Sequence, residues 1–546
     1  MSDRTRAGLC ALALLAMLCT SCWIPPRSYG LTEEGLRPVP ALPRWAGPLP
    51  YSSRQASESA PQAPTVHLPD PLTLQDAFLL ALKANKDILV SDLGAQADKA
   101  AIMGTEGQFD TTAFATISGG RTLAPVNAIP LSLTDQSQTF TQVGLSQRAI
   151  TGTNLALTAA NSYVRDRTGA LAVNPAYSPS VNVSVSQDLL KNAGVSVNRT
   201  FVSVAENQAE ISREALRNTA MNTLFEVESD YWSLYFALAD LDVRNQQRAQ
   251  AQRLVAVAQA QVNAGISAPL EVVRAKSSAA AQEVSILEAQ NTISQLRRRL
   301  MKAMGIISPD LINPDFALAD KPPEELHAVT LHEAVEAALE SRPDYLQALL
   351  QVDSQGLLMH YFSNQRLPTL QLFGSYLLTG LNNTFGSAAD QIEDSRFDTW
   401  AVGLQLSFPI PNRTARSAYQ VARLQHQQAL WQWRSVYEGV VRDVGDALSD
   451  LHTAEVRITT AEQSRQLAEE VEKAEEKSFS LGRSDSLDVL TAQNNLATAQ
   501  RDEASARADY ATSLANLYKV EGTLLRKKGV MVSGEEAAPP KREAMP

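Results

Sequence analysis

Between Arg199 and Ala264 the chain contains neither glycine nor proline, and that run constrains the fold more than any other feature. A continuous helix over it would be roughly 100 Å long at 1.5 Å per residue, far more than a compact domain needs. A second stretch with almost no glycine or proline, only Gly439 and Gly445 before Leu481, opens at Arg413. The same triplet precedes both, Asn198-Arg199-Thr200 and Asn412-Arg413-Thr414. Both stretches are rich in Ala, Gln, Glu and Leu with apolar positions three and four residues apart, a pattern that packs a helix lengthwise on other helices. Each is expected to turn at a glycine, Gly265 or Gly482, and to return as a second rod over about Pro269–Met304 and Ser486–Tyr518.

The rods belong to a duplicated unit. Leu72-Thr73-Leu74-Gln75-Asp76-Ala77 predicts a helix start in which Thr73 is the cap, and Thr330-Leu331-His332-Glu333-Ala334 repeats it. Ala77, Ala81, Leu82 and Asp87 then find equals in Ala334, Ala338, Leu339 and Asp344, at an offset of 257 residues. Deeper in each half, Gly265 to Val272 matches Gly482 to Val489 at an offset of 217. That match continues without a gap through Ala275 and Ala492, Leu300 and Leu517, and Gly305 and Gly522. The first copy must therefore hold about forty residues that the second lacks, between its first helix and its tip.

The strand region accounts for them. Trp400, Val402, Leu404, Leu406 and Phe408 alternate with Thr399, Ala401, Gly403, Gln405 and Ser407, the period of a strand between apolar and polar surroundings. Its upstream partner is Leu370 to Leu378. In the first copy Val181, Val183 and Val185 match the Trp400 strand in position, and Thr112 to Gly119 matches the upstream one. Between them lies an added pair near 143–164, joined at Thr151-Gly152-Thr153, which predicts a hairpin.

The termini read differently. Residues 1–22 have the form of a secretory signal, with Arg4 and Arg6, an apolar run from Leu9 to Leu18, and small residues before Cys22. That run is too short to span a bilayer as a helix, and no other stretch approaches the length required. All three cysteines, Cys10, Cys19 and Cys22, lie in this segment, which leaves no disulfide framework and no thiolate metal site beyond it. Residues 23–71 are rich in Pro, Ser and Ala and predict an extended leader without a core. From Leu525 onward Arg526-Lys527-Lys528, Glu535-Glu536 and Pro539-Pro540 predict a disordered, solvated tail, residues 525–546.

Composition excludes several functions. The formal net charge is −11, and the basic residues are scattered along helices rather than gathered into a stripe that could neutralise phosphates, so nucleic-acid binding is not expected. No Gly-x-Ser-x-Gly elbow or phosphate-binding glycine loop occurs. His332-Glu333 begins like a zinc-protease helix, but Glu336 stands where the second histidine belongs. His67, His327, His332, His360, His426 and His452 are scattered, which argues against a metal centre. Neither an enzyme nor a cofactor is expected.

Strands with one apolar and one polar face suit a barrel with lipid outside and water inside. A soluble sandwich would show the same alternation, but so few strands feeding such rods cannot build a core of their own. Nor can one chain close a sizeable barrel from them, so closure by oligomerisation is expected. At this point the residues resemble the TolC-like outer-membrane efflux proteins, over about 70–525. The resemblance rests on the Leu-Thr-Leu-x-x-Ala helix start, Pro368-Thr369-Leu370 at the head of a strand, the strand Val402 to Pro409, and the tip Gly482 to Leu490.

The resemblance implies a mainly α chain with a small β component. Its two tandem repeats, 72–320 and 321–524, each combine short strands with a very long antiparallel helical hairpin. Three copies would form a transmembrane β-barrel in the outer membrane, continued into the periplasm by an α-barrel. A periplasmic adaptor and an inner-membrane transporter are the implied partners. The added hairpin departs from the two strands per repeat of the family, which leaves the strand count of the barrel open.

The resemblance also places Asp488 at the periplasmic aperture, with Thr491 where a second acid often stands. An ordinary surface acid near a helix N-terminus would look the same in sequence. Gly265 and Gly482 are expected to permit a turn that a Cβ would strain. Ser267, Leu270, Arg483, Ser484 and Leu487 are candidates for the adaptor contact, although Leu270 and Leu487 could equally close the hairpin core. The end of the signal, Leu18 to Cys22, is similar to a lipobox and makes Cys22 the expected site of lipid attachment. Ordinary cleavage nearby is the alternative. A periplasmic coiled-coil adaptor or scaffold is the competing function; it would not need a strand pair at the same place in both halves.

Overall fold

The structure, a computed structural model, describes residues 68–126, 132–169, 171–265, 268–306, 315–323, 329–481 and 483–530. The expected signal with Cys22, most of the leader, Ser267, Gly482 and the end of the tail lie outside the described residues. In chain order the main elements are α1 (Leu74–Ala84), α2 (Lys86–Glu106), β1 (Thr112–Val126), β2 (Ser132–Arg148), β3 (Thr153–Asp166), β4 (Ala176–Asp188), α3 (Thr200–Asn263) and α4 (Pro269–Ala303). The second half supplies α5 (Leu331–Ser341), α6 (Pro343–Asn364), β5 (Thr369–Thr379), α7 (Phe385–Glu393), β6 (Asp398–Ser407), α8 (Arg413–Ser480) and α9 (Ser486–Val520). The fold is thus mainly helical with one small antiparallel sheet, as the repeat pattern predicted. Contacts divide it into two compact units, one holding Thr111–Ser186 with Ser375–Trp400, the other the long helices together with Gln187–Gly374 and the chain from Ala401.

The helical unit is built on heptad spacing. In α3 the buried residues Ala220, Leu224, Val227, Tyr231 and Leu234 recur at alternating four and three residues, and in α8 Val440, Val444, Ala447, Leu451 and Ala454 do the same. That spacing keeps one seam of a helix against its neighbour over many turns. Accordingly α3 packs along α4, α8 packs along α9, and α3 also meets α2, α6 and α9. No helix among the described residues is long and apolar enough to cross a membrane.

Each half is closed by the same contact. The helix starts are capped by Thr73, whose hydroxyl accepts the Asp76 N–H at 3.0 Å, and by Thr330, which forms a reciprocal capping box with Glu333. The end of α4 then returns to the α1–α2 junction at Gly305, and the end of α9 to the α5–α6 junction at Gly522. Leu72, fully buried, bridges to Leu318, and the Tyr231 hydroxyl donates to Leu72 O at 3.0 Å. Burial pushes that hydroxyl up to about 12, so it stays protonated as a donor.

Two boundaries differ from the expectation. The leader drawn to residue 71 is already engaged at Asp70, whose carboxylate accepts the Ala317 N–H at 3.0 Å. The solvated tail drawn from Leu525 is corrected over 525–530: Leu524 and Leu525 are buried on a turn of helix at Leu524–Lys527, and Lys528 pairs with Glu228 at 2.7 Å. Two leucines ahead of a basic run are enough to dock one more turn on the core, whatever the charge that follows.

The six strands form one sheet in the order β1-β2-β3-β4-β5-β6. All fifteen residues of β1 are in register with β2, from Thr112 opposite Ser146 to Val126 opposite Ser132. The sequence pattern stopped β1 at Gly119 because Gly119-Gly120 and Pro125 break the alternation; the ladder with β2 carries the strand on regardless. The turn after β2 is tight, with Ala149 N donating to Thr153 O at 2.7 Å and Gly152 at φ +88. One further correspondence emerges only from packing. A Cβ at Gly144 would lie 2.6 Å from the Phe114 ring, and one at Gly403 2.5 Å from the Phe373 ring. Both pairs are separated by the same 259-residue offset, within Val143-Gly144-Leu145 and Val402-Gly403-Leu404. By chain position β4 matches β6, but by this contact β2 does.

Candidate functional site: the helix-hairpin tips

The long helices α3 and α8 end at sharp turns. Gly265 follows α3 at φ +73, a left-handed conformation that costs a residue with a Cβ but not glycine. Nothing lies within 4 Å of an added Cβ there, so backbone conformation, and not space, is the reason for glycine. At the other turn Arg483 N donates to Ser478 O at 2.9 Å, satisfying a carbonyl at the end of α8. Pro269 then starts α4 at a position where its missing N–H costs nothing.

The start of α9 is held by carboxylates. Asp485 caps it, accepting from the N–H of Leu487 at 2.9 Å and of Asp488 at 3.0 Å, and Asp488 completes the box by reaching back to the Asp485 N–H at 3.5 Å. The helix dipole favours both acids at this end. Ser484 is shared between Asp488 Oδ2 at 3.0 Å and Glu475 Oε2 at 2.9 Å, so two acidic side chains flank one hydroxyl. Two turns before the tip, burial and the neighbouring Glu476 push the Glu472 carboxyl above its usual range.

The two tips are adjacent. Ser486, buried at the start of α9, donates to the Glu271 carboxylate of α4, which also holds Arg274 at 2.9 Å. The structure thus joins Glu271, the neighbour of Leu270, to Ser486, the neighbour of Asp485 and Leu487, although more than two hundred residues separate them in the chain. Leu270 and Leu487 are 54% and 56% exposed, so neither closes the hairpin core within one chain. Arg483 and Thr491 are exposed as well, the Thr491 hydroxyl donating to Leu487 O at 2.8 Å. Sequence reading passed over Asp485, Glu475 and the Glu271–Ser486 link. Asp485 was findable, because an acid three residues before Asp488 at a helix start is itself a capping-box signal. The Glu271–Ser486 link was not, because it joins the two repeats through space.

The chain thus repeats a strand-and-rod unit, and the two tips are linked through Ser486 and Glu271. The chain belongs to the outer membrane efflux protein family, which matches residues 135–306 and 334–523. It is 24% identical over 303 residues to outer membrane efflux protein BepC of Brucella suis biovar 1 (strain 1330), covering 55% of this chain and 62% of that one. To outer membrane protein TolC of Escherichia coli (strain K12) it is 25% identical over 305 residues, covering 54% and 60%. The matched region therefore spans less than two thirds of the length of either relative. Among solved structures, the outer membrane protein VceC from Vibrio cholerae shares the fold with a TM-score of 0.59 at 15% identity, over 82% of this chain and 96% of that one.

Proposed function

We propose that this chain is one wall segment of a passive efflux or secretion duct that crosses the outer membrane and extends into the periplasm. Three copies close the duct, an inner-membrane transporter supplies the energy, and a periplasmic adaptor grips the tips. In this reading the repeats are 72–320 and 321–524, and no chemistry is asked of the chain. The observation that carries it is the sheet. Trp400, Val402, Leu404 and Leu406 project from one face of β6, each 65–71% exposed, which a soluble adaptor would have no means of covering. A lipid surface accepts such a face, and the polar alternate residues then line water.

The tips supply the control. Three Asp488 carboxylates brought near the axis repel one another and attract cations, which gives the mouth a charge preference. Leu270 and Leu487, apolar and exposed, offer the adaptor its contact, with Ser267, Arg483 and Ser484 as further candidates; Gly265 and Gly482 are the proposed turn residues, and Thr491 stands one turn past Asp488. Purified protein in planar bilayers should form cation-preferring channels, and Asp488→Ala should lower that preference and raise conductance. Absence of any channel would sink the duct; an unchanged mutant would remove only the aperture role of Asp488.

Cys22 is the proposed attachment point of a lipid, which tethers the chain but contributes only marginal anchoring beside a barrel. Metabolic labelling with a radioactive fatty acid should mark the wild type and not Cys22→Ser, while both reach the outer membrane. Equal labelling of the two would remove Cys22 from the proposal.

A further inference from the structure

We infer that the outer-membrane barrel of this protein is an eighteen-stranded wall, in which β6 of one copy pairs with β1 of the next. The inference rests on the duct reading above and concerns what the added strands do. Within one chain they are not an appendage: among the described residues the hydrogen-bonded route from β1 to β4 runs through β2 and β3. Thirteen residue pairs join β2 to β3, from Gln136 opposite Asp166 to Arg148 opposite Asn154, as continuous a ladder as that between β1 and β2.

The faces agree with the ladders. Ile117, Val143, Leu145 and Leu157 lie on one face, through the cross-strand pairs Ile117 with Thr141, Val143 with Ala115, and Leu145 with Leu157. All four are exposed. The opposite face of the same strands carries Thr116, Ser118, Gln138, Gln142, Thr158 and Ser162, with Phe114 and Phe140 among them. A hairpin lying on the outer rim would have no use for an apolar face in register with its neighbours. The connection between β2 and β3 also fits a wall, because it is a tight turn in which Gly152 N donates to Ala149 O at 2.9 Å.

The edges identify the occupant. Every residue of β6 but Gly403 is exposed, and β1 is exposed along most of its length, whereas β2, β3 and β4 are paired on both edges and mix exposed with part-buried residues. β2, which matches β6 through the Phe-over-Gly contact, is paired on both edges; β6 is paired on one. An even number of strands makes the two free edges antiparallel when copies are placed in a ring, so β1 of a second copy fits β6 with the same ladder geometry as every other pair in the sheet. Three copies of the six-stranded sheet then close with no edge left. At about 4.8 Å between strands and a tilt of about 40°, such a ring is roughly 36 Å across at the backbone, against about 24 Å for twelve strands.

Cysteine cross-linking tests this directly. Gln405→Cys in β6 is combined in turn with Thr112→Cys, Thr116→Cys or Ser118→Cys in β1, and with Thr158→Cys or Ser162→Cys in β3. Oxidised membranes are run without reductant. A β1 position should lock Gln405→Cys into covalent dimers and trimers that reductant reverses, while single variants and β3 positions stay monomeric. Cross-links to β3 instead would mean a twelve-stranded wall of β3 to β6 with β1 and β2 outside it, and would overturn the inference while leaving the duct intact. Channels that form without a cross-link from β6 to any β1 position would overturn it too. Failure to form trimers or channels at all would count against the duct itself.

Discussion

Gly305→Ala is expected to destabilise the fold by about 3 to 5 kcal/mol, and Gly522→Ala by a similar amount. Gly305 sits at φ +75, and a Cβ there would lie 2.5 Å from Ala84 O and 2.6 Å from Asn85 Cα. Gly522 sits at φ +72 with Ser341 O at 2.6 Å and Arg342 Cα at 2.8 Å. Backbone atoms cannot rotate aside as a side chain can, so each helix end must shift or the junction must open. Neighbouring bonds would be lost with it, since Asn85 Nδ2 donates to Ala303 O at 2.8 Å and Lys86 donates to Gly305 O. Gly94→Ala is the control. It lies on the exposed side of α2 with nothing within 4 Å of the new Cβ, and should stabilise by about 0.5 to 1 kcal/mol through helix propensity. Denaturation midpoints of the three variants in detergent decide the matter; equal midpoints for Gly305→Ala and wild type would refute the close-approach account.

Lys528→Met should cost about 2 to 4 kcal/mol at neutral pH, and much less in mild acid. Lys528 is the ion-pair partner of Glu228, whose side chain is 4% exposed. Burial holds the Glu228 carboxyl above its ordinary value of 4.5 in spite of Lys528, and in the variant nothing offsets the charge except the Trp232 indole at 3.4 Å. The sign follows from proton binding. The folded state holds this proton more tightly than the unfolded chain, so the group adds stability as pH falls through the folded value, until the unfolded carboxyl titrates as well. Asp230 acts in the same direction between 3.8 and about 6, where burial outweighs Arg299 at 2.8 Å. Glu228→Gln combined with Lys528→Met should recover most of the loss. A midpoint difference that does not change between pH 7 and pH 5 would show that lost packing, and not the stranded charge, is the cause.

The two predictions draw on features of different legibility. Gly305 and Gly522 stood out in the sequence as repeat equivalents at an offset of 217 residues, but their reason did not, because the contact is with backbone some two hundred residues away. Lys528 was read the wrong way. In sequence it belongs to a basic, proline-containing end, and only the docking of Leu524 and Leu525 carries its ammonium onto Glu228. At the tips, residue types and turn positions were readable from the repeat. The fact that Ser486 reaches Glu271, and so joins one tip to the other, was not.

Local periodicity determined the rest. A heptad run without glycine or proline specifies a helix and its buried seam, and a two-residue alternation specifies a strand and its faces, because both report on the backbone where they occur. On that basis the sequence alone determined the four long helices, the twofold repetition and the presence of an added strand pair. Which strand lies beside which, and hence that the added pair stands inside the sheet, depends on ladders between distant segments. Side-chain alternation is the same for a strand at the edge of a sheet and one in its middle, so only the tertiary structure could decide it.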